Sequence, residues 1–170
     1  MVPPAASADT ARGRWPRVLL MYRRILVPID GSNTALLGLT EALQLARVFQ
    51  STIRLLHVAS ELSIDPALTP SVYYELAAEG TEASGEDALA NARALAKERG
   101  VDVEVELVET AGARAADSIV AAARNWPADL IVMGTHGRRG VRRLALGSDA
   151  ELVLRSAPVP VLMVREGAAS

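Results

Sequence analysis

The strongest constraint on the fold of this chain is a regular alternation of short aliphatic runs with longer stretches of helical periodicity, which begins at Met21. The runs at residues 25–29 and 130–133 read ILVPI and LIVM. Continuous aliphatic runs of this length are typical of strands buried on both faces of a parallel sheet, with helices as the crossovers. We therefore expect one α/β domain with an open, Rossmann-like sheet.

Periodicity and the residues that begin and end helices predict the elements. The predicted strands are residues 25–29, 52–58, 101–108, 130–133 and 159–164, and the predicted helices are residues 32–50, 71–99, 113–125 and 148–156. Ser32 is expected to cap the first helix, and Gly100 to end the second. Residues 60–70 read as a loop. The glutamates of the second helix indicate a solvated face: Glu75, Glu79, Glu82 and Glu86.

The order of the strands can be predicted by asking which strands are least suited to the centre of the sheet and must lie at its edges. Residues 101–108 alternate Val or Leu with acidic residues, so one face is solvated, which favours an edge. Pro158 and Pro160 have no N–H to donate and place the last strand at the other edge. The sequence therefore predicts five parallel strands in the order 3-2-1-4-5, with helices on both faces.

This order predicts where a ligand binds before any motif is considered. Open α/β sheets bind ligands at the carboxyl ends of the strands where the strand order reverses, here after Ile29 and Met133. Asp30 follows the first strand, and a glycine-rich loop followed by Ser148 follows the fourth. Glycines and a helix N-terminus suit a phosphate. Asp30 suits a ribose, a base or a magnesium ion carried by a nucleotide.

A ligand-free interpretation of the same residues is also open. The segment 148–151 reads S-x-x-E, a capping box that satisfies a helix end without a ligand. Asp149 and Glu151 would repel a phosphate, and Asp30 could simply begin a turn. On physical grounds alone, a nucleotide site and a ligand-free loop both remain open.

The charged residues near the loop also have two interpretations. The net charge is −2, yet four arginines follow the loop glycines: Arg138, Arg139, Arg142 and Arg143. They form either a positive cluster that attracts polyphosphate or a solvated face. His57 lies in an apolar strand and is expected to be a buried, hydrogen-bonded histidine. His136 is expected to shape the loop, and two isolated histidines do not indicate a zinc site.

Several classes of protein are excluded or disfavoured. The chain has no Cys, which excludes disulfides and thiolate chemistry and fits a reducing cytoplasm. Half of the residues are hydrophobic, which is too many for a disordered chain. No stretch is long and apolar enough for a membrane span or a secretory signal. There is no P-loop motif, no G-x-G-x-x-G after the first strand, and no plausible Ser–His–acid set.

Residues 22–165 resemble the universal stress protein family over almost the whole domain. The matching segments are ILVPIDGS at 25–32, LLHV at 55–58, DLIVMGTHG at 129–137, LGS at 146–148 and PVPVLMV at 158–164. The nucleotide-binding branch of that family carries G-x2-G-x9-G-[ST], a spacing met here by Gly134, Gly137, Gly147 and Ser148. We therefore expect membership of that branch.

The resemblance and the loop together give ten candidate nucleotide-binding residues: Pro28, Asp30, Val58, Met133, Gly134, His136, Gly137, Arg138, Gly147 and Ser148. By resemblance, Pro28 and Asp30 flank the adenosine, and Val58 contacts the adenine. Met133 and Gly134 line the ribose and base, and the later glycines and Ser148 bind phosphates. Asp149 departs from what a phosphate site favours.

The resemblance implies a cytoplasmic stress-response regulator or sensor that binds ATP with magnesium and hydrolyses it slowly at most. It also implies a homodimer through residues 159–164, and no nucleic-acid or membrane partner. Cyclic AMP is an alternative ligand, and a nucleotide-free dimeric scaffold is an alternative function. Residues 1–20 are expected to be a flexible leader, 21–166 the domain and 167–170 a tail.

Overall fold

A computed structural model describes residues 21–60, 82–110, 112–137 and 146–166. Its strands are β1 (Arg24–Pro28), β2 (Thr52–Ser60), β3 (Val103–Thr110), β4 (Leu130–Gly134) and β5 (Val161–Val164). The helices in these ranges are α1 (Asn33–Phe49), α2 (Glu82–Glu98), α3 (Ala115–Asn125) and α4 (Ser148–Ser156). None of the described helices is long and apolar enough to cross a membrane. The predicted leader, the tail and the loop with the start of the second helix lie outside the described residues.

The strands form one parallel sheet in the order β3-β2-β1-β4-β5, which confirms the predicted fold class. Val27 lies beside Leu55 of β2, and Leu26 lies beside Ile131 of β4. The central strands are the continuously apolar ones, as expected. The sheet order reverses between β1 and β4, so the carboxyl ends of these two strands bound the predicted binding position.

The sheet has a hydrophobic core on each face. On one face, Ile25 and Val27 pack with buried residues of α1 and α2. On the other, Leu26 packs with buried residues of α3 and α4. Full burial of such a side chain stabilises the fold by about 1.5–3 kcal/mol. The alternating side chains of β1 therefore attach both helical layers to the same central strand.

The ends of α1 agree with the sequence prediction. The Ser32 hydroxyl accepts a hydrogen bond from the Ala35 N–H at 3.2 Å, which caps the helix. Gln50 ends the helix in the left-handed conformation, at φ 55°. Gly100, with φ +70°, follows α2 as expected.

The edge strands differ in detail from the prediction. β5 begins at Val161 rather than at residue 159, after the two prolines that cannot donate to a ladder. In β3, Val103 packs against the core, but Val105 and Leu107 remain 43% and 41% exposed. The acidic face is not simply solvated either, because Arg54 of β2 contacts Glu104 at 2.6 Å and Glu106 at 3.0 Å.

Candidate functional site

Three residues predicted to hold the base lie on one face of the sheet. Val58 and Met133 pack against the core cluster of α3 and α4. Pro28 follows Leu26 of that cluster by two residues, and strand side chains two apart share a face. The carboxyl ends of β1, β2 and β4 thus present Pro28, Val58 and Met133 toward the same layer.

The turn after β1 holds the Asp30 carboxylate in place. Its Oδ1 accepts hydrogen bonds from the Ser32 backbone N–H at 3.0 Å and from the Ser32 hydroxyl at 2.6 Å. Gly31 has φ +85°, a conformation that favours glycine. Asp30 does begin a turn, as the ligand-free interpretation held, and it is half-buried at the predicted position.

The loop glycines allow the loop after β4 to approach the start of α1 closely. A Cβ on Gly137 would lie 2.6 Å from Oδ2 of Asp30, and a Cβ on Gly134 would lie 2.9 Å from Thr34. Neither distance is tolerated by a real Cβ atom without movement of the neighbour. These two glycines are therefore explained by packing between protein segments, whether or not a phosphate binds beside them.

Thr34 connects the two segments and was missed by the sequence analysis. Its hydroxyl donates a hydrogen bond to the backbone carbonyl of His136. The His136 Nδ1 lies 3.0 Å from the hydroxyl of Thr135, whereas its buried Nε2 has no hydrogen-bond partner among the described residues. A threonine in the first turn of a helix gives no sequence signal for a contact some 100 residues away.

The start of α4 contradicts the predicted capping box. Gly147 is the N-cap residue, and Ser148 is the first residue inside the helix, so the Ser148 hydroxyl is not in the capping position. The Gly147 N–H donates to the Thr135 carbonyl at 2.9 Å, which ties the helix start to the loop. No described side chain caps this end, and Ser148 is exposed.

Asp149 was expected to repel a phosphate, but the structure gives its carboxylate another contact. Its Oδ1 lies 3.4 Å from the backbone N–H of Ala116, in the first turn of α3. Arg114, the N-cap residue of α3, provides no side-chain hydrogen bond there. A carboxylate favours a helix N-terminus, so Asp149, which lies in the first turn of α4, also stabilises the start of α3.

The remaining candidates have different outcomes. Arg138 and the other three arginines of the predicted cluster lie outside the described residues. His57 is buried, and its Nδ1 lies 2.7 Å from the carbonyl oxygen of Ile29, so it is the hydrogen-bonded histidine that was expected. Within the described ranges, no group of three or more His, Cys, Asp or Glu residues is placed to hold a metal ion.

The fold and this loop arrangement define a class of protein, and comparison with known sequences names it. Residues 21–165 match the sequence profile described as the universal stress protein family. The chain therefore belongs to the universal stress protein family.

Individual relatives support the assignment. A universal stress protein of Methanocaldococcus jannaschii is 35% identical over 146 residues, which cover 86% of this chain and 84% of that protein. A solved structure of a family member from Burkholderia pseudomallei is 36% identical, with a TM-score of 0.64, and the match covers 85% of this chain and 97% of that chain.

A second solved structure bears on the ligand. It is a universal stress protein in complex with cAMP, and it is 26% identical to this chain with a TM-score of 0.62. The match covers 84% of this chain and 97% of that chain. A protein with this fold and detectable sequence similarity therefore binds a cyclic adenine nucleotide.

Proposed function

We propose that this chain binds an adenine nucleotide at the carboxyl ends of β1, β2 and β4. The base and ribose lie against Pro28, Asp30, Val58, Met133 and Gly134. The phosphates lie toward Gly137, Gly147 and Ser148, with His136 shaping the loop and Arg138 adding positive charge. In this proposal the protein is a cytoplasmic stress-response regulator or sensor.

The observation that carries the proposal is the uncapped start of α4. Ser148 is exposed and inside the helix, so the N–H groups of the first turn lack the S-x-x-E cap that would otherwise satisfy them. The Asp149 carboxylate, in this first turn, accepts a hydrogen bond from the Ala116 N–H of α3 at 3.4 Å. The S-x-x-E cap that favoured a ligand-free loop is thus absent from the described structure, while Asp149 and Glu151 remain in the first turn of α4. A helix N-terminus without a side-chain cap favours an anion.

ATP with bound magnesium is the proposed form of the ligand. The described residues hold no acidic cluster for a metal ion of their own, so magnesium would be held chiefly by the phosphates, as is common for this ion. Among its described residues, the site presents hydrogen-bond donors to phosphate but no evident base to activate water. Hydrolysis is therefore proposed to be slow at most.

Calorimetric titration of the purified protein with Mg·ATP tests the site. Ser148→Ala removes one exposed hydroxyl without disturbing a cap, and we expect it to weaken ATP binding about tenfold, the value of one hydrogen bond to a charged group. Ser156→Ala is the matched control, because it removes the same group from the opposite end of the same helix. It should bind ATP as the wild type does.

Glycine-to-valine variants of the loop are less decisive. Valine at position 137 would collide with Asp30, so a loss of binding could reflect displacement of the loop alone. The serine pair avoids this ambiguity. If the wild type shows no ATP binding, the proposal is wrong and the nucleotide-free scaffold takes its place. Equal binding by wild type and Ser148→Ala would place the phosphates elsewhere.

Cyclic AMP is the second candidate ligand, because the cAMP complex of a relative shares the fold and 26% of aligned residues. Competition between cAMP and ATP distinguishes the two. If ATP is the ligand, cAMP should displace it weakly, since it offers one phosphate instead of three. If cAMP binds more tightly than ATP, the ligand is the cyclic nucleotide.

We also propose a homodimer in which the β5 edges of two chains pair antiparallel. β5 is an edge of the sheet, and Leu162 on this strand is 39% exposed. An edge with an exposed leucine favours pairing with a second copy. Light scattering should give a dimer for the wild type and a monomer for Leu162→Lys. A monomeric wild type would contradict the proposal.

A further inference from the structure

The carboxyl end of β1 is held to β2 by a side chain as well as by the backbone. The β1–β2 pairing ends with Pro28 beside Leu56. Beyond it, the Ile29 N–H still donates to the Leu56 carbonyl at 2.8 Å. The Ile29 carbonyl lies 2.7 Å from Nδ1 of His57, so two adjacent residues of β2 hold both the N–H and the carbonyl of Ile29.

The hydrogen bond defines how the imidazole is protonated. A carbonyl oxygen only accepts hydrogen bonds, so Nδ1 of His57 must be the donor and carry a proton. His57 is only 7% exposed, and this burial shields the hydrogen bond from competing water.

Helix α2 fixes the imidazole from the other side. A Cβ on Gly85 would lie 2.6 Å from both Cδ2 and Nε2 of the His57 ring. The same helix also approaches the β1–α1 turn, because a Cβ on Gly31 would lie 3.4 Å from Cβ of Ala88. The imidazole is therefore held between the first turn of α2 and the Ile29 peptide.

The position of His57 places it behind the proposed base site rather than in it. Ile29, which its ring contacts, belongs to the core cluster of α1 and α2. Val58 and Met133 pack on the opposite face of the sheet. The neighbours of the ring in sequence and space, Val58 and the Ile29–Asp30 peptide, border the proposed base site, so any effect of the ring on a base would pass through the backbone.

We propose that His57 is a positioning residue that sets the separation between the Ile29–Asp30 peptide and Val58, and through it the selectivity of the site for adenine. The inference rests on the proposed nucleotide site. Gly85 is needed for this positioning as well, because its missing side chain leaves the space in which the His57 imidazole lies. Base selectivity then depends on a contact between α2 and β2 that touches no part of the nucleotide.

Four variants test this from both sides of the contact. His57→Leu removes the donor, and Gly85→Ala pushes the ring away. His57→Asn retains an N–H donor at the same number of bonds from the backbone and is smaller, so it is the conservative variant. The double variant Gly85→Ala/His57→Asn combines the added methyl group with a side chain that leaves space for it.

The measured quantity is the ratio of the affinities for ATP and GTP. We expect His57→Leu and Gly85→Ala to lower this ratio about tenfold, since small misplacements of positioning groups have effects of at least this size. His57→Asn and the double variant should retain the ratio within about threefold. Ser148→Ala should weaken both nucleotides and leave the ratio unchanged, as should any substitution that merely destabilises the fold.

The outcomes separate the two proposals. If the wild type binds no ATP, the proposed nucleotide site fails and this inference fails with it. If the wild type binds ATP and the His57→Leu and Gly85→Ala variants keep its ATP/GTP ratio, the site stands and the role of His57 is overturned. A lowered ratio in His57→Asn equal to that in His57→Leu would also overturn it, because the donor would then be irrelevant.

Discussion

The two ends of the sheet are closed by different kinds of contact. At the amino ends, the Asp129 carboxylate accepts from the backbone N–H groups of Arg23 and Arg24 at 2.8 and 3.2 Å. The guanidinium of Arg54 lies 4.6 Å from the ring centroid of Trp126. At the carboxyl ends, contacts are made by glycines, short polar side chains and backbone carbonyls, as at Thr34 and His136.

The difference bears on the ligand site proposed at the carboxyl end. The amino end has an open groove of about 540 Å³ that is lined by residues of mixed charge, among them Arg47 and Asp102. At the carboxyl end, glycines allow protein segments to pack closely, and the start of α4 has no described side-chain cap. Substitutions at the two ends should therefore have separable effects on stability and binding.

The largest effect is expected at a carboxyl-end glycine. Gly134→Ala would place a Cβ 2.9 Å from Thr34, and such overpacking lowers the free energy of unfolding by about 1–3 kcal/mol. ATP binding should fall as well, because the loop moves. Urea unfolding and calorimetry measure the two quantities.

Gly100→Ala is the amino-end control for that variant. Its φ of +70° strains an alanine, but nothing lies within 4 Å of the added Cβ. The free energy of unfolding should fall by about 1 kcal/mol, with ATP binding unchanged. Loss of binding in this control would mean that the two ends are not separable.

The next effect is expected at the amino end. Arg54→Met removes the contacts with Glu104 and Glu106 and the cation–π contact with Trp126. Because these groups are partly exposed, the free energy of unfolding should fall by only about 1 kcal/mol. The difference from wild type should shrink in about 1 M NaCl, where charges are screened. ATP binding should not change.

Arg155→Met is the matched control for Arg54. Arg155 lies 3.8 Å from Glu151, and both side chains are mostly exposed. Its removal should change stability by less than about 0.5 kcal/mol. If both variants lost the same free energy of unfolding, the contacts of Arg54 would contribute no more to stability than an exposed ion pair does.

A smaller effect is expected for Thr34→Val, which keeps the shape of the side chain but removes the donor to the His136 carbonyl. The free energy of unfolding should fall by about 0.5–1.5 kcal/mol, and ATP binding should weaken severalfold. Thr40→Val removes a comparable hydroxyl within α1, whose bond to the Leu36 carbonyl is away from the loop. ATP binding should be unaffected in Thr40→Val. If ATP binding weakened in Thr40→Val and not in Thr34→Val, the role assigned to Thr34 in holding the loop would be refuted.

The smallest effect on stability is expected for Ser148→Ala, because the exposed hydroxyl caps nothing. Its free energy of unfolding should stay within about 0.5 kcal/mol of the wild type. Its nucleotide affinity should nevertheless fall. Ser148→Ala should therefore lose binding without losing stability, whereas Arg54→Met should lose stability without losing binding. Differential scanning calorimetry without and with ATP separates the two effects.

The fold could be predicted from the sequence because four of the five strands carry residues that indicate a central or an edge position in the sheet. The apolar runs of β1 and β4, the acidic alternation near β3 and the prolines before β5 all constrain the sheet order. The contacts of Thr34, Asp149 and Arg54 could not be predicted, because they join residues distant in the chain through side-chain geometry. The S-x-x-E pattern was misleading, since the preceding glycine took the N-cap position.

The most direct test of the nucleotide site is a ¹H–¹⁵N NMR titration of the isotopically labelled protein with Mg·ATP. If the nucleotide binds at the carboxyl ends of the strands, the amide signals of Asp30, Val58, Gly137 and Ser148 should shift as ATP is added, while those of Gly100 and Asp129 stay in place. Shifts confined to the amino ends of the strands, or no saturable shifts at all, would contradict the proposed site.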